Sequence, residues 1–163
     1  MGGVSDLQIR PFHPDDAPAV AGIARRCLLE VNALDYPTEI VEALCARNTA
    51  ERFLDSTARR QIFVASLGGS EGVRVVGTVS LEGNEVCSLF VDPDVHGRGV
   101  GRLLMECVEH EVAAGGHAWV ELNASVTARR FYVRLGYVDL GARDAEFGVI
   151  HAMRKSLGRR ASN

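Results

Sequence analysis

Apolar positions change their period several times along the chain, and each change marks a different kind of element. From Ala17 to Val31 they recur at helical spacing behind His13-Pro14-Asp15-Asp16, which supplies helix-start chemistry, so a helix is predicted there. A short strand over Leu7–Pro11 precedes it. Asp35-Tyr36-Pro37-Thr38 breaks the run before two further helical segments, about Glu39–Ala46 and Thr49–Ser56. Beyond Gln61 the texture becomes β-rich: Gln61–Leu67, Val73–Leu81 and Glu85–Val91 read as consecutive antiparallel strands, separated by Gly68-Gly69-Ser70-Glu71-Gly72 and Glu82-Gly83-Asn84. Helical spacing returns at Val100, Leu103, Leu104, Cys107, Val108 and Val112, and Gly115-Gly116 stops that helix. Ala118–Leu122 is then a strand, and strand, helix and strand in this order make a right-handed crossover between parallel strands. A last helix, capped by Ser125 or Thr127 and ended by Gly136, carries Ala128, Phe131, Tyr132 and Leu135 on one face. Tyr137–Leu140 and Phe147–Lys155 close the sheet as a hairpin. The expected fold is α/β (α+β): a central mixed, mostly antiparallel sheet of about six to seven strands with one parallel β-α-β crossover, flanked by helices.

Composition narrows the function classes. The 163 residues, 47% hydrophobic and 24% charged, suit a single domain over 1–163, with loose tails at 1–6 and 158–163. A net charge of −3 and a pI near 5.9 argue against nucleic acid, whose binders carry a basic face. Basic residues cluster locally at Arg98/Arg102 and Arg129/Arg130, which suits a small polyanion better than a duplex. A basic start followed by an apolar run is missing, as is any stretch long enough to span a bilayer, so a cytoplasmic protein without a membrane partner is expected. Cys27, Cys45, Cys87 and Cys107 lack a C-x-x-C pair and read as buried reduced thiols. His110-Glu111 opens like a zinc-protease motif, but Ala114 takes the second histidine position. With His13, His117 and His151 isolated, no metal site is expected.

The chemistry concentrates where an apolar strand runs through a glycine-rich turn into a helix, at Val91-Asp92-Pro93-Asp94-Val95-His96-Gly97-Arg98-Gly99-Val100-Gly101-Arg102-Leu103-Leu104. Glycines let backbone N–H groups approach phosphates, and a helix start adds unpaired donors and the positive end of a dipole. A P-loop would end in Gly-Lys-Ser/Thr, yet here Gly101-Arg102-Leu103 stands. A dinucleotide fingerprint would follow its strand directly, whereas Asp92–His96 intervene and Arg102 holds the last glycine position.

The segment His96-Gly97-Arg98-Gly99-Val100-Gly101 resembles motif A of the GNAT N-acetyltransferase superfamily, Q/R-x-x-G-x-G/A, with histidine in place of the usual first residue. Asn123-Ala124-Ser125-Val126-Thr127-Ala128-Arg129-Arg130-Phe131-Tyr132-Val133-Arg134-Leu135-Gly136-Tyr137 is similar to motif B. The resemblance runs from about Gln61 to Tyr137 and is absent as a motif in the helical first third. It implies acetyl-CoA as donor, with the pyrophosphate on His96, Gly97, Arg98, Gly99, Val100, Gly101 and Arg102. The pantetheine arm is implied to pair with the backbone of Leu89 and Val91, and an N–H near Leu89 or Phe90 to face the thioester carbonyl. Asn123, Ser125, Ala128 and Phe131 complete the implied cofactor-binding set. Asn123 also reads as a turn cap, and Arg129 or Arg130 as a partner of the 3′-phosphate or part of an exposed helix face.

An amine must lose a proton before it attacks, and Glu85 matches the position where these enzymes often carry a catalytic glutamate. Glu82 is the second candidate, and a solvated strand-end carboxylate is the plain alternative for both. Tyr132 matches the tyrosine that protonates the departing thiolate; the plain alternative is a core aromatic. Cys87 and Ser88 lack the context of a nucleophile, though Ser88 could line an acceptor pocket. The implied activity is acetyl transfer to a primary amine of a small molecule by direct attack. Alternatives are a non-catalytic acyl-CoA sensor or interaction module, and acetylation of a protein amine; O-acetylation and longer acyl groups stay open. The acceptor falls to the first two helices and the loop Asn32–Pro37, where Glu30, Asp35 and Glu39 either attract a cation or form a solvated surface. Homodimers are common in the family, and nothing in the sequence specifies an interface.

Overall fold

The meander that starts at Gln61 forms the centre of a larger sheet. In the computed structural model, which describes residues 6–158, the strands are β1 (Leu7–Pro11), β2 (Gln61–Gly69), β3 (Gly72–Glu82), β4 (Glu85–Val91), β5 (Trp119–Ser125), β6 (Val138–Ala145) and β7 (Gly148–Ser156). Their order is β1-β2-β3-β4-β5-β7-β6, antiparallel throughout except for β4 and β5. The tails expected over 1–6 and 158–163 lie outside the described residues, apart from Asp6 and Gly158. The helices are α1 (Ala17–Glu30), α2 (Thr38–Arg47), α3 (Ala50–Ser56), α4 (Val100–Ala114) and α5 (Arg129–Arg134). None of the described helices is long and apolar enough to cross a membrane.

Two apolar clusters show how the sheet is covered. Val100, Leu104, Met105, Val108 and Val112 of α4 pack on Val76, Val79, Leu81, Val86, Val120 and Leu122. On the other face Val20 and Ala24 of α1 and Phe53 of α3 pack on Ile62 and Val64, with Phe90 against them. Period-2 alternation in the strands divides their side chains between these layers. The α4 helix sits close because Gly77 has no side chain: a Cβ there would come within 3.0 Å of Leu104 Cδ1.

Helix starts followed local chemistry in part. His13 and Asp16 form a reciprocal cap ahead of α1, and the Asp16 carboxylate also takes two bonds from Arg10, at 2.8 and 2.9 Å. The last helix departs from expectation: β5 continues to Ser125, and α5 is shorter, with Ala128 at its N-cap position. Ser125 still contributes, because its Oγ accepts the Ala128 N–H at 3.1 Å. Thr127 instead donates its hydroxyl to Asp35.

Candidate active site

The parallel pair is registered at only two positions, Glu85 with Glu121 and Val86 with Leu122, whereas β5 stays paired to β7 along its whole length. The cause lies in β4. Leu81 of β3 faces Val86 and Ser80 faces Ser88, so Cys87 is an extra residue on β4. Such a bulge bends the strand and adds twist. Past Cys87 the two strands part, and β4 has a neighbour on one side only.

Ladder phase says which backbone groups are left over. The Asp92 N–H donates to the Val76 carbonyl at 2.8 Å. Alternate residues of an antiparallel ladder turn the same way, so Phe90 also faces β3 while Leu89 and Val91 present their N–H and C=O to the opening. The Val91 carbonyl accepts from Cys27 Sγ at 3.0 Å and from His96 Nε2 at 2.7 Å, which puts a proton on Nε2. Burial pushes the Cys27 thiol up to about 11, so it stays a donor.

At the end of β4 the three motif glycines answer two different demands. Gly97 and Gly99 have φ of +79° and +83°, the left-handed region that a side chain disfavours. Gly101 lies in the first turn of α4, and its need is space: a Cβ would come within 3.0 Å of Phe131 Cζ. Among the described residues nothing accepts the N–H groups from Gly97 to Arg102, and the first helical bond runs from the Leu103 N–H to the Gly99 carbonyl. Such a set of free donors beside the exposed Arg98 and Arg102 suits a phosphate group. Gly101→Ala is expected to displace the half-buried Phe131 ring and weaken acetyl-CoA binding about fivefold, on the order of 1 kcal/mol. Calorimetric titration checks this, and an unchanged Kd would remove the close α4–α5 approach from the cofactor cleft.

The turn is braced from a distance. Asp92 is 5% exposed, and its carboxylate accepts from Arg26 at 2.8 Å, from Arg74 at 3.2 Å and from the Asp94 N–H at 2.9 Å. Arg26 also reaches Asp94, whose carboxyl it holds below the usual carboxylate range. Sequence reasoning missed this role. An Asx turn was legible in Asp92-Pro93-Asp94, but its arginine partners come from α1 and β3.

Motif B residues divide among different surroundings. Tyr132 is 6% exposed, edge-on to Phe131 and Tyr137 with ring centroids 5.1 and 5.7 Å away. Its hydroxyl makes no hydrogen bond among the described residues, yet it is not among the fully buried unpartnered atoms and so reaches the surface, and burial raises the phenol above its ordinary value. Asn123 lies inside β5 rather than at its end, and its Oδ1 accepts from Arg143 at 3.0 Å. Arg129 is paired with Asp139, which His151 Nδ1 also meets at 3.0 Å; Arg130 is exposed. The Arg129 guanidinium holds the Asp139 carboxyl below its ordinary range.

Glu85 is flanked by Glu82, the second candidate of the sequence, and by Glu121, which sequence reasoning missed. Glu85 faces Glu82 across β3–β4 and Glu121 across β4–β5, and Glu121 in turn faces Arg154 of β7. Arg60 lies 3.6 Å from Glu82 on the outer side. The three glutamates thus stand side by side at the paired end of β4 and β5, ahead of the point where those strands part, with Arg60 and Arg154 at the two ends of the row. Ser88 is tied to Ser80 through a 2.6 Å hydroxyl contact. Of the carboxylates expected to face an acceptor, Glu30 pairs with Arg26 at 3.2 Å and Asp35 accepts from Thr127 at 2.8 Å, so neither is a free carboxylate.

The sequence profile of the acetyltransferase (GNAT) domain matches residues 35–157. The chain belongs to the GNAT acetyltransferase family. Among solved structures it is similar to a GCN5-related N-acetyltransferase from Rhodopseudomonas palustris, with a TM-score of 0.81, 29% identity, and 91% of this chain and 94% of that one covered. It shares its fold with the PaiA N-acetyltransferase of Thermoplasma acidophilum in complex with coenzyme A, at a TM-score of 0.74 and 18% identity, covering 92% and 98%. Among curated proteins, the uncharacterized N-acetyltransferase YafP of Escherichia coli (strain K12) is 25% identical over 134 residues, 82% of this chain and 83% of that protein. This GNAT acetyltransferase is therefore an acyltransferase. Its one-sided β4 and donor-lined turn fit an acyl-CoA, whose amides and phosphates need those two kinds of partner.

Proposed function

We propose that this GNAT acetyltransferase moves the acetyl group of acetyl-CoA to a primary amine of a small molecule by direct transfer. The observation that supports the reading is the one-sided stretch of β4 past Cys87, whose free Leu89 and Val91 N–H groups follow, on the same strand, Glu85 between Glu82 and Glu121. Bound acetyl-CoA supplies an acyl group activated by its thioester. Leu89 and Val91 would hold the pantetheine amides, the N–H groups from Gly97 to Arg102 the pyrophosphate, and Leu89 N–H the thioester carbonyl. Phe90 is the weaker donor for that carbonyl because its backbone is turned to β3.

An alkylamine near neutral pH is a cation, with a pKa of about 10.4. The glutamate row attracts that cation, and Glu85 takes its proton directly or through a water. Tyr132 then meets the charge that develops on sulfur. The reading places the enzyme in the cytosol, in keeping with four free thiols.

The test is coenzyme A release with acetyl-CoA and a panel of small primary amines, a lysine-containing peptide and alcohols. Turnover with one or more small amines is the expected result. Tight acetyl-CoA binding without turnover on anything would overturn it in favour of a sensor, and turnover on the peptide alone would shift the acceptor to a protein amine.

A further inference from the structure

The connection between α1 and α2 is fastened at both of its ends, and to opposite walls of the opening. At the end of α1, Cys27 Sγ donates to the Val91 carbonyl at 3.0 Å and Arg26 binds Asp92 at 2.8 Å, both at the end of β4. A few residues later, Tyr36 Oη accepts the Val126 N–H at 2.8 Å and donates to the Val149 carbonyl at 2.9 Å. The Tyr36 ring lies against Gly148, where a Cβ would come within 3.0 Å of it and where φ is +99°. Asp35 Oδ2 takes the Thr127 hydroxyl at 2.8 Å. Val126 and Thr127 directly follow β5 and lead into α5.

The stretch Cys27–Tyr36 thus joins the ends of two strands that share no ladder bonds past Val86 and Leu122. With no ladder there, the separation of the walls depends on side chains that cross from one to the other. A hydroxyl that donates and accepts at once is held in one orientation. We propose that Tyr36 is a positioning residue for transfer: it clamps the β5–α5 turn and thereby sets Tyr132 against β4. The cofactor turn is held separately, through Arg26 and Asp92. The clamp rests on the proposed reading of Tyr132 as a group that acts on sulfur.

Tyr36→Phe keeps the ring on Gly148 and removes both hydrogen bonds. Kcat is expected to fall about tenfold, as a small misplacement of a reacting group does, while the Kd of acetyl-CoA stays within about twofold. Arg26→Gln, which loosens the cofactor turn, is expected to weaken acetyl-CoA by about tenfold. In a Tyr132→Phe background, Tyr36→Phe should cost nothing further, because the group it positions is already gone. A full tenfold loss in that background, or equal losses in kcat and Kd, would overturn the proposal. Hydrogen exchange separates the clamp from the activity: the Val126 amide should exchange at least about tenfold faster in Tyr36→Phe, with or without turnover. Unchanged exchange sinks the clamp, whereas a wild-type protein inactive on every amine sinks the functional reading alone.

Discussion

Glu85→Gln is expected to lower kcat with an amine acceptor by about 10²- to 10⁴-fold while leaving the Kd of acetyl-CoA unchanged. The side chain is exposed at the start of β4, where it has no part in either apolar cluster, so the loss should appear without a fall in melting temperature. The pH dependence gives the sharper reading. Below the amine pKa of about 10.4 nearly all acceptor is protonated, and the variant lacks the group that removes the proton. As pH rises the neutral fraction grows on its own, so the variant should recover toward wild type between about pH 8 and 10. Equal kcat and an unchanged profile would remove Glu85 from the reaction, and the same measurement on Glu82→Gln would then find the base if it stands next door.

Tyr132→Phe is expected to lower kcat by about 10- to 100-fold, the equivalent of one hydrogen bond to a charged atom. Burial raises the phenol, so it stays protonated through the ordinary assay range, and the loss should be the same across about pH 6–9. A phenol held high is also a poor donor of a whole proton to a thiolate. On the proposed reading its contribution is a hydrogen bond to the sulfur as charge develops, with the proton following from solvent. Phenylalanine retains the edge contacts to Phe131 and Tyr137, and the lost hydroxyl leaves no partner unsatisfied among the described residues. Melting temperature should accordingly hold, and full turnover in the variant would make Tyr132 a core aromatic and nothing more.

Local features of the chain were legible where chemistry and position coincide in sequence. The strands Leu7–Pro11 and Glu85–Val91 carry in the structure the bounds read from alternation and turn residues alone. The helix after the glycine turn begins at Val100, as its apolar spacing implies. Gly97 and Gly99 were readable as backbone positions, since a turn that exposes several N–H groups needs left-handed residues. Gly101 was readable only as part of a motif, because its reason is the ring of Phe131 from another helix. The same limit applied to α5, where a cap at Ser125 or Thr127 looked equivalent. Asp35, distant in sequence, took the Thr127 hydroxyl and left Ser125 to accept the Ala128 N–H.

The same limit applied to Glu30 and Asp35, for which the chain alone left a cation site and a solvated surface open: Arg26 and Thr127 engage them. The negative charge that stands beside Glu85 comes instead from Glu82 and Glu121, which lie on other strands.

By itself the sequence determined the order of elements, the mixed sheet, the glycine-rich turn into a helix and, through two motifs, the family. All of these depend on residues close together along the chain, where period, turn chemistry and helix starts act. Tertiary structure alone decided that β4 and β5 part after two registered pairs, that three glutamates line up across the first of those pairs, and that Tyr36 and Arg26 fasten the two walls. Those facts follow from strand register and from contacts between distant segments. A bulge at Cys87 shifts every later partner by one residue, and no local pattern records which partner results.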